Sequence, residues 1–184
     1  MRAIAFVLAL SLVVWNTSAL AANEDTRVPS FEETKHLAEQ GNVDAQFNLG
    51  WMYRIGQGVP KNDAEAVAWY RRAAEQGDAS AQYNLGVTYQ RGEGIPKNDA
   101  EAVAWYRRAA EQGDAKAQHN LGVMYDEGEG VPKNDVDAYF WFNLAAAQGQ
   151  ENAGGNRDST EKQMTREQIA EAQRRSATWK PKTE

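Results

Sequence analysis

Cysteine is absent from this 184-residue chain. Its absence excludes a disulfide framework, a thiolate metal site and a cysteine nucleophile. Histidine occurs only at His36 and His119, which leaves little for a histidine metal site. Lysine and arginine, 20 together, are outnumbered by 26 acidic residues and form no basic block. An acidic chain of this kind is a poor binder of nucleic acid or of an anionic membrane surface. No H-E-x-x-H, G-x-S-x-G or phosphate-binding loop is present. Ser159-Thr160-Glu161-Lys162 fits S-x-x-K, the nucleophile motif of penicillin-interacting enzymes, but its S-D-N and K-T-G companions are missing. The sequence therefore supplies no catalytic residue, no metal site and no cofactor.

Long apolar runs are scarce as well. The exception follows Arg2 and extends from Ile4 to Trp15, with Ala19-Leu20-Ala21 after it. This pattern is that of a secretory signal peptide at residues 1–21, cut after Ala21. The 12-residue run is shorter than the roughly 20 residues a membrane span needs. Cleavage removes one positive charge, so the mature net charge is 19 − 26 = −7. The expected address is periplasmic or extracellular, with no membrane insertion after cleavage.

What the chain has in quantity is repetition. Residues 61–79 recur letter for letter at 97–115. Asn-Leu-Gly stands at 48–50, 84–86 and 120–122, and Ala-x-Gln-Gly at 38–41, 74–77, 110–113 and 146–149, always 36 residues apart. A fixed period in this range marks a stacked solenoid. The organisation expected is a linker and capping helix at 22–41, three 36-residue helical hairpins at 42–149, and capping helices at 150–184.

Each unit reads as two helices. Helix A is expected over 43–55, 79–91 and 115–127, with Asn42, Asp78 and Asp114 as N-caps. Gly56, Gly92 and Gly128 end it, because glycine adopts the left-handed turn cheaply. Helix B opens on Asn62-x-x-Glu65 and Asn98-x-x-Glu101, a pattern like a capping box. Ala66, Trp69, Tyr70, Ala73 and Ala74 then recur at helical spacing as one apolar stripe, with Arg71, Arg72 and Glu75 on the solvated side. Gly50, Gly86 and Gly122 fall inside helix A, at a cost of about 1 kcal/mol each against alanine. Close helix–helix approach, with an aromatic ring over the missing side chain, would offset it.

The ends depart from the repeat. Ser30-x-x-Glu33 opens a short N-terminal cap. The last helix B is enriched in Tyr139, Phe140, Trp141, Phe142 and Leu144, and residues 157–179 are expected to cover it. Thr165 and Gln168 form a capping box, Met164 can staple onto Ile169, and Ala172 and Trp179 extend the inner side. A loop is expected at Ala153-Gly154-Gly155.

The pattern A-x-x-x-L-G-x-x-Y-x-x-G-x-G-V/I-P-x-x-D-x-x-x-A-x-x-W-Y-x-x-A-A-x-x-G resembles the Sel-one-like repeat, a relative of the tetratricopeptide repeat, over about residues 30–149. Residues 163–173 also resemble the tail of secreted bacterial members. The resemblance implies an all-α fold, a right-handed α/α superhelical solenoid of helix-turn-helix repeats with capping helices. It further implies a protein-binding scaffold without shared catalytic residues. Some secreted relatives carry a cysteine pair in each repeat; this chain has none.

The copies differ in an ordered way. With about 100° per residue, Ala45, Gln46, Leu49, Gly50 and Tyr53 span one arc of helix A and are identical in all three copies. Phe47/Tyr83/His119, Trp51/Val87/Val123, Met52/Thr88/Met124, Arg54/Gln90/Asp126 and Ile55/Arg91/Glu127 drift on the opposite arc. The constant arc suits stacking. The drifting arc either packs on a neighbour or faces a ligand on the concave side, where solenoids bind. Asn48, Asn84 and Asn120 stay fixed inside the drifting arc. Such amides could clamp the backbone of an extended peptide, as an asparagine does in tetratricopeptide modules, or bond to a neighbouring helix. The candidate peptide-binding residues are therefore Asn48, Asn84, Asn120, Phe47, Trp51, Tyr83, His119, Arg54 and Gln90.

The function expected is a secreted or periplasmic scaffold, monomeric, that takes a protein or peptide partner in its groove and has no chemistry of its own. The alternatives are a binder of cell-wall glycan or peptide through Phe47, Trp51 and Tyr83, and a penicillin-interacting hydrolase on the S-x-x-K match.

Overall fold

The structure, a computed structural model, describes residues 29–182. The signal peptide and its cleavage point, the start of the N-terminal linker and the last two residues lie outside the described residues. Among the described residues there are nine helices and no strand. These are α1 (Phe31–Glu39), α2 (Val43–Ile55), α3 (Asp63–Glu75), α4 (Ala79–Arg91), α5 (Asp99–Glu111), α6 (Ala115–Glu127), α7 (Asp135–Ala147), α8 (Ala153–Glu161) and α9 (Arg166–Thr178). Each helix packs on the next from α1 to α8, and α9 returns onto α7. The fold is an all-α helical solenoid with α2, α4 and α6 as the A helices.

Local chemistry sets the boundaries. Asn42, Asp78 and Asp114 accept from the third backbone N–H of their helices at 2.6 to 2.8 Å. Gly56, Gly92 and Gly128 close the A helices in the left-handed conformation. Both expected capping boxes at Ser30 and Thr165 are complete. At Asn62 and Asn98 only half of the box forms: the asparagine caps the backbone of Glu65 and Glu101.

The core repeats with the sequence. Leu49, Leu85 and Leu121 are fully buried, as are the small residues of the helix B stripe. The rings of Tyr70, Tyr106 and Phe142 lie over Gly50, Gly86 and Gly122. A methyl group on Gly50 or Gly122 would stand 2.7 Å from the ring, and one on Gly86 closer still. The loop glycines do a second job. Gly94 and Gly130 have positive φ, and any side chain there would strike the backbone of Asp63 or Asp99 in the preceding repeat. The loop of each hairpin thus rests on the start of helix B before it.

A polar spine joins the repeats. Gln46, Gln82 and Gln118 are buried and donate to the carbonyls of Ala38, Ala74 and Ala110, at 3.1 Å each. Their carbonyl oxygens accept from Gln76, Gln112 and Gln148 at 2.7, 2.9 and 2.8 Å. Each buried amide thus has both its nitrogen and its oxygen hydrogen-bonded, which is why this glutamine does not vary and why the hairpins close on Ala-x-Gln-Gly.

Two expectations need correction. Ala153-Gly154-Gly155 is not a loop: it forms the first turn of α8. This helix takes the place of a fourth helix A, whereas α9 packs on α7 rather than on α8 and so does not complete a fourth hairpin. Buried Thr160 donates to Asp126 at 3.1 Å, and Asn156 bonds to His119 at 3.0 Å. Contact with α7 outweighs the low helix propensity of two glycines. The drifting arc is also not uniformly open. Met52, Val87, Thr88 and Met124 are buried. Gln90 reaches the Met124 sulfur at 3.4 Å, and Thr160, 36 residues on from Met124, faces α6. This position packs against the A helix before it.

Candidate functional site: a groove along the A helices

Three successive A helices border an open groove of about 580 Å3. Phe47, Trp51 and Arg54 come from α2, and Ser80, Tyr83, Asn84 and Arg91 from α4. Asp114 and Lys116 at the start of α6, with Gln150 beyond α7, complete it. Helical spacing explains the set: Phe47, Trp51 and Arg54 lie at i, i+4 and i+7, as do Ser80, Asn84 and Arg91 at i, i+4 and i+11. Trp51 is 40% exposed and Ile55, one turn further along, 48%. With Leu37 these are the large apolar residues most open to solvent among the described residues.

The groove gathers five of the nine candidate residues: Phe47, Trp51, Arg54, Tyr83 and Asn84. Asn48 lies outside it, exposed, in a smaller depression of about 120 Å3 with Pro29, Thr34, Trp51 and Met52. His119, Asn120 and Gln90 are half-buried and belong to contacts between helices. Phe47, Tyr83 and His119 each lean on the ring of the following helix B, with centroids 5.8, 5.9 and 5.7 Å from Tyr70, Tyr106 and Phe142. Their inner faces pack and their outer edges are what a ligand could meet.

The asparagines do not share one cavity. Asn84 donates to the Ser80 carbonyl at 2.8 Å and accepts from Arg54 at 3.3 Å. Asn120 bonds to His119 at 3.3 Å and stands beside the hydroxyls of Tyr83 and Tyr106. The amide therefore looks toward the preceding A helix in repeats two and three, a contact that Asn156 repeats in α8. In the first repeat no described A helix precedes Asn48.

Burial dominates the electrostatics. It raises the Tyr83 hydroxyl, with Asp114 adding to the effect and Arg91, Arg54 and Asn120 opposing it. Tyr106 is raised further, chiefly by burial. Tyr70 is pushed up to about 12 by burial, against the nearby Arg54 charge. Tyr106 donates to Gln90 at 2.8 Å. The Tyr70 hydroxyl finds no partner among the described residues. All three phenols stay neutral at physiological pH.

Ser159 and Lys162 of the S-x-x-K match lie on α8, outside this groove. Ser159 donates to the Gly155 carbonyl at 3.0 Å, and Lys162 is the C-cap. Among the described residues no group of three or more His, Cys, Asp or Glu is placed to hold a metal ion. No described helix is long and apolar enough to cross a membrane.

Ser80, Arg91, Asp114, Lys116 and Gln150 were not among the candidates. A signal for three of them is in the sequence. Arg91 belongs to the drifting set. Asp44, Ser80 and Lys116 also differ in every copy and lie near 260° on the same arc. Gln150 is placed by the turn after α7, which the repeat pattern does not describe.

The Sel1 repeat model matches residues 43–78, 79–114 and 115–150, three full copies of the hairpin. The chain belongs to the Sel1 repeat family. A Sel1 repeat protein from Oxalobacter formigenes is 45% identical, with a TM-score of 0.65, over 68% of this chain and 53% of that one. The protective antigen c5321 of uropathogenic Escherichia coli strains is 33% identical, with a TM-score of 0.53, over 81% of this chain and 40% of that one. The chain thus spans about half or less of the length of these two Sel1 relatives. Helicobacter pylori cysteine rich protein B shares the fold at 23% identity and a TM-score of 0.53, over 69% of this chain and 96% of that one. No match is found among curated proteins. Sel1 repeat proteins are generally protein-interaction scaffolds and typically lack enzymatic activity.

Proposed function

We propose that this Sel1 protein is an exported scaffold whose groove along α2, α4 and α6 receives an extended segment of a protein partner. The observation that carries the reading is Trp51. It is a large aromatic side chain, substantially exposed, at the mouth of a groove lined by three helices. Exposed aromatics in concave surfaces are the usual anchors of protein recognition. The polar rim of Ser80, Asn84 and Gln150 suits main-chain hydrogen bonds. The role is binding without chemistry, by a monomer that acts outside the cytoplasm. Export rests on the signal pattern at residues 1–21, and mass spectrometry of the cell-envelope fraction tests it: a mature chain beginning at Ala22 is expected, and an intact Met1 in the cytosol contradicts it.

Site-specific photo-crosslinking tests the groove. A benzophenone side chain is placed at Trp51, or at Arg71 on the exposed side of α3, in cells that make the protein. The reading expects a discrete crosslinked protein from position 51 and none from 71. Adducts of cell-wall glycan at position 51 would favour the glycan alternative, and equal yields from both positions would contradict a binding groove.

A further inference from the structure

The groove reverses the sign of the molecule. The chain carries six more acidic than basic residues, yet Arg54, Arg91 and Lys116 line the groove against one acid, Asp114. Asp114 is occupied: its Oδ1 caps α6, accepting from Ala117 at 2.7 Å. Arg91 meets Glu93 in an exposed pair at 3.6 Å, a contact that holds it weakly. Arg54 has no carboxylate partner among the described residues. One of its nitrogens donates to the neutral amide of Asn84 at 3.3 Å.

Comparison of the first two repeats sharpens the point. In the second, Tyr106 donates to the Gln90 carbonyl oxygen at 2.8 Å. Arg54 occupies the place of Gln90 in the first repeat, 36 residues earlier. An acceptor has been replaced by a cation. The fully buried Tyr70 hydroxyl beside it has no acceptor among the described residues. A buried donor without an acceptor is costly and rare in native proteins. The half-buried guanidinium, which lines the groove, is matched by an anion.

We infer that the occupant of the groove is an extended acidic peptide segment, with Asp or Glu side chains paired to Arg54, Arg91 and Lys116 and a bulky apolar side chain on Trp51. The inference rests on the groove being the binding site, as proposed above. Spacing agrees with an extended chain: the three cations come from three successive A helices. Trp51 lies one turn before Arg54, so the apolar anchor and its leading charge share one face of α2.

Phage-displayed random dodecapeptides, selected on the chain from Ala22 to Glu184, test it. The same selection is made on R54Q and W51A. R54Q installs the residue of the second repeat and gives Tyr70 an acceptor, so it should fold, and its melting is compared with wild type. The expected consensus from wild type combines Asp or Glu with an aromatic or aliphatic residue, and acidic enrichment is lost on R54Q. A synthetic peptide of that consensus should bind R54Q about tenfold more weakly, and wild type more weakly at high salt. A neutral or basic consensus that W51A abolishes would overturn the acidic inference and leave the groove standing. Selections no richer than those on W51A would overturn both.

Discussion

At the scale of single residues the repeat supplies its own controls. Gly86 and Gly154 are both helical glycines with opposite surroundings. A methyl group on Gly86 meets the Tyr106 ring, whereas one on Gly154 meets nothing within 4 Å. Gly86→Ala should therefore destabilise by about 1–3 kcal/mol, overpacking outweighing the gain in helix propensity. Gly154→Ala should stabilise by roughly 0.5–1 kcal/mol. Urea titration of the two variants checks both signs. Tyr70 and Tyr106 form a second pair. Tyr106→Phe removes a bond to Gln90 and should cost about 1 kcal/mol, whereas Tyr70→Phe removes a hydroxyl without a partner and should be neutral or stabilising. Phe142 shows that the third repeat tolerates the lost hydroxyl. Tyr70 also contributes to alkaline behaviour, alongside the other buried tyrosines. The folded Tyr70 ionises near 12, above its unfolded value of 10.0, so the unfolded chain releases its proton first. Stability should fall as pH rises through 10 to about 12. Tyr70→Phe should make that fall shallower in melts taken across the range. The aromatic cover over glycine was legible in the sequence because glycine and ring recur at a fixed offset. The buried glutamine spine was not, because its partner is a carbonyl eight residues back and a second glutamine 30 residues ahead.

At the scale of elements, boundaries were legible wherever a local device sets them. The A helices begin and end at the residues expected, since the Asn or Asp cap and the left-handed glycine act within one turn. α8 was hidden for the converse reason. Its Ala-Gly-Gly start argues for a loop, and only docking on α7 makes it a helix. That docking has a purpose: α7 carries Tyr139, Phe140, Trp141 and Phe142, all buried in the complete fold. Arg175 from α9 bonds to Asp137 at 2.7 Å and lies over the Phe140 ring at 4.6 Å. Truncation after Gln150 should leave much of this face in water. The expected outcome is dye binding to exposed apolar surface together with soluble oligomers on gel filtration. A truncated chain that stays monomeric and binds no dye would contradict the capping role.

At the scale of the whole molecule, stacking spends one side of each A helix and leaves part of the other to choose a companion. Stability in such an array is shared between neighbours, so Leu85→Ala in the middle repeat should cost about 2–5 kcal/mol and loosen both flanking hairpins. The site was legible in part. Differences between copies pointed to the right face of the helix, and to Trp51 and Arg54. They could not separate positions that pack on the preceding A helix, such as Met124, from those that open on the groove, because both escape the constraint on the constant arc. The most direct test of the binding face is amide hydrogen exchange with and without a peptide selected on the wild-type chain. The account predicts added protection along α2, α4 and the start of α6, with the exposed sides of α3 and α5 unchanged. Protection confined to α3, α5 or α9 would contradict it.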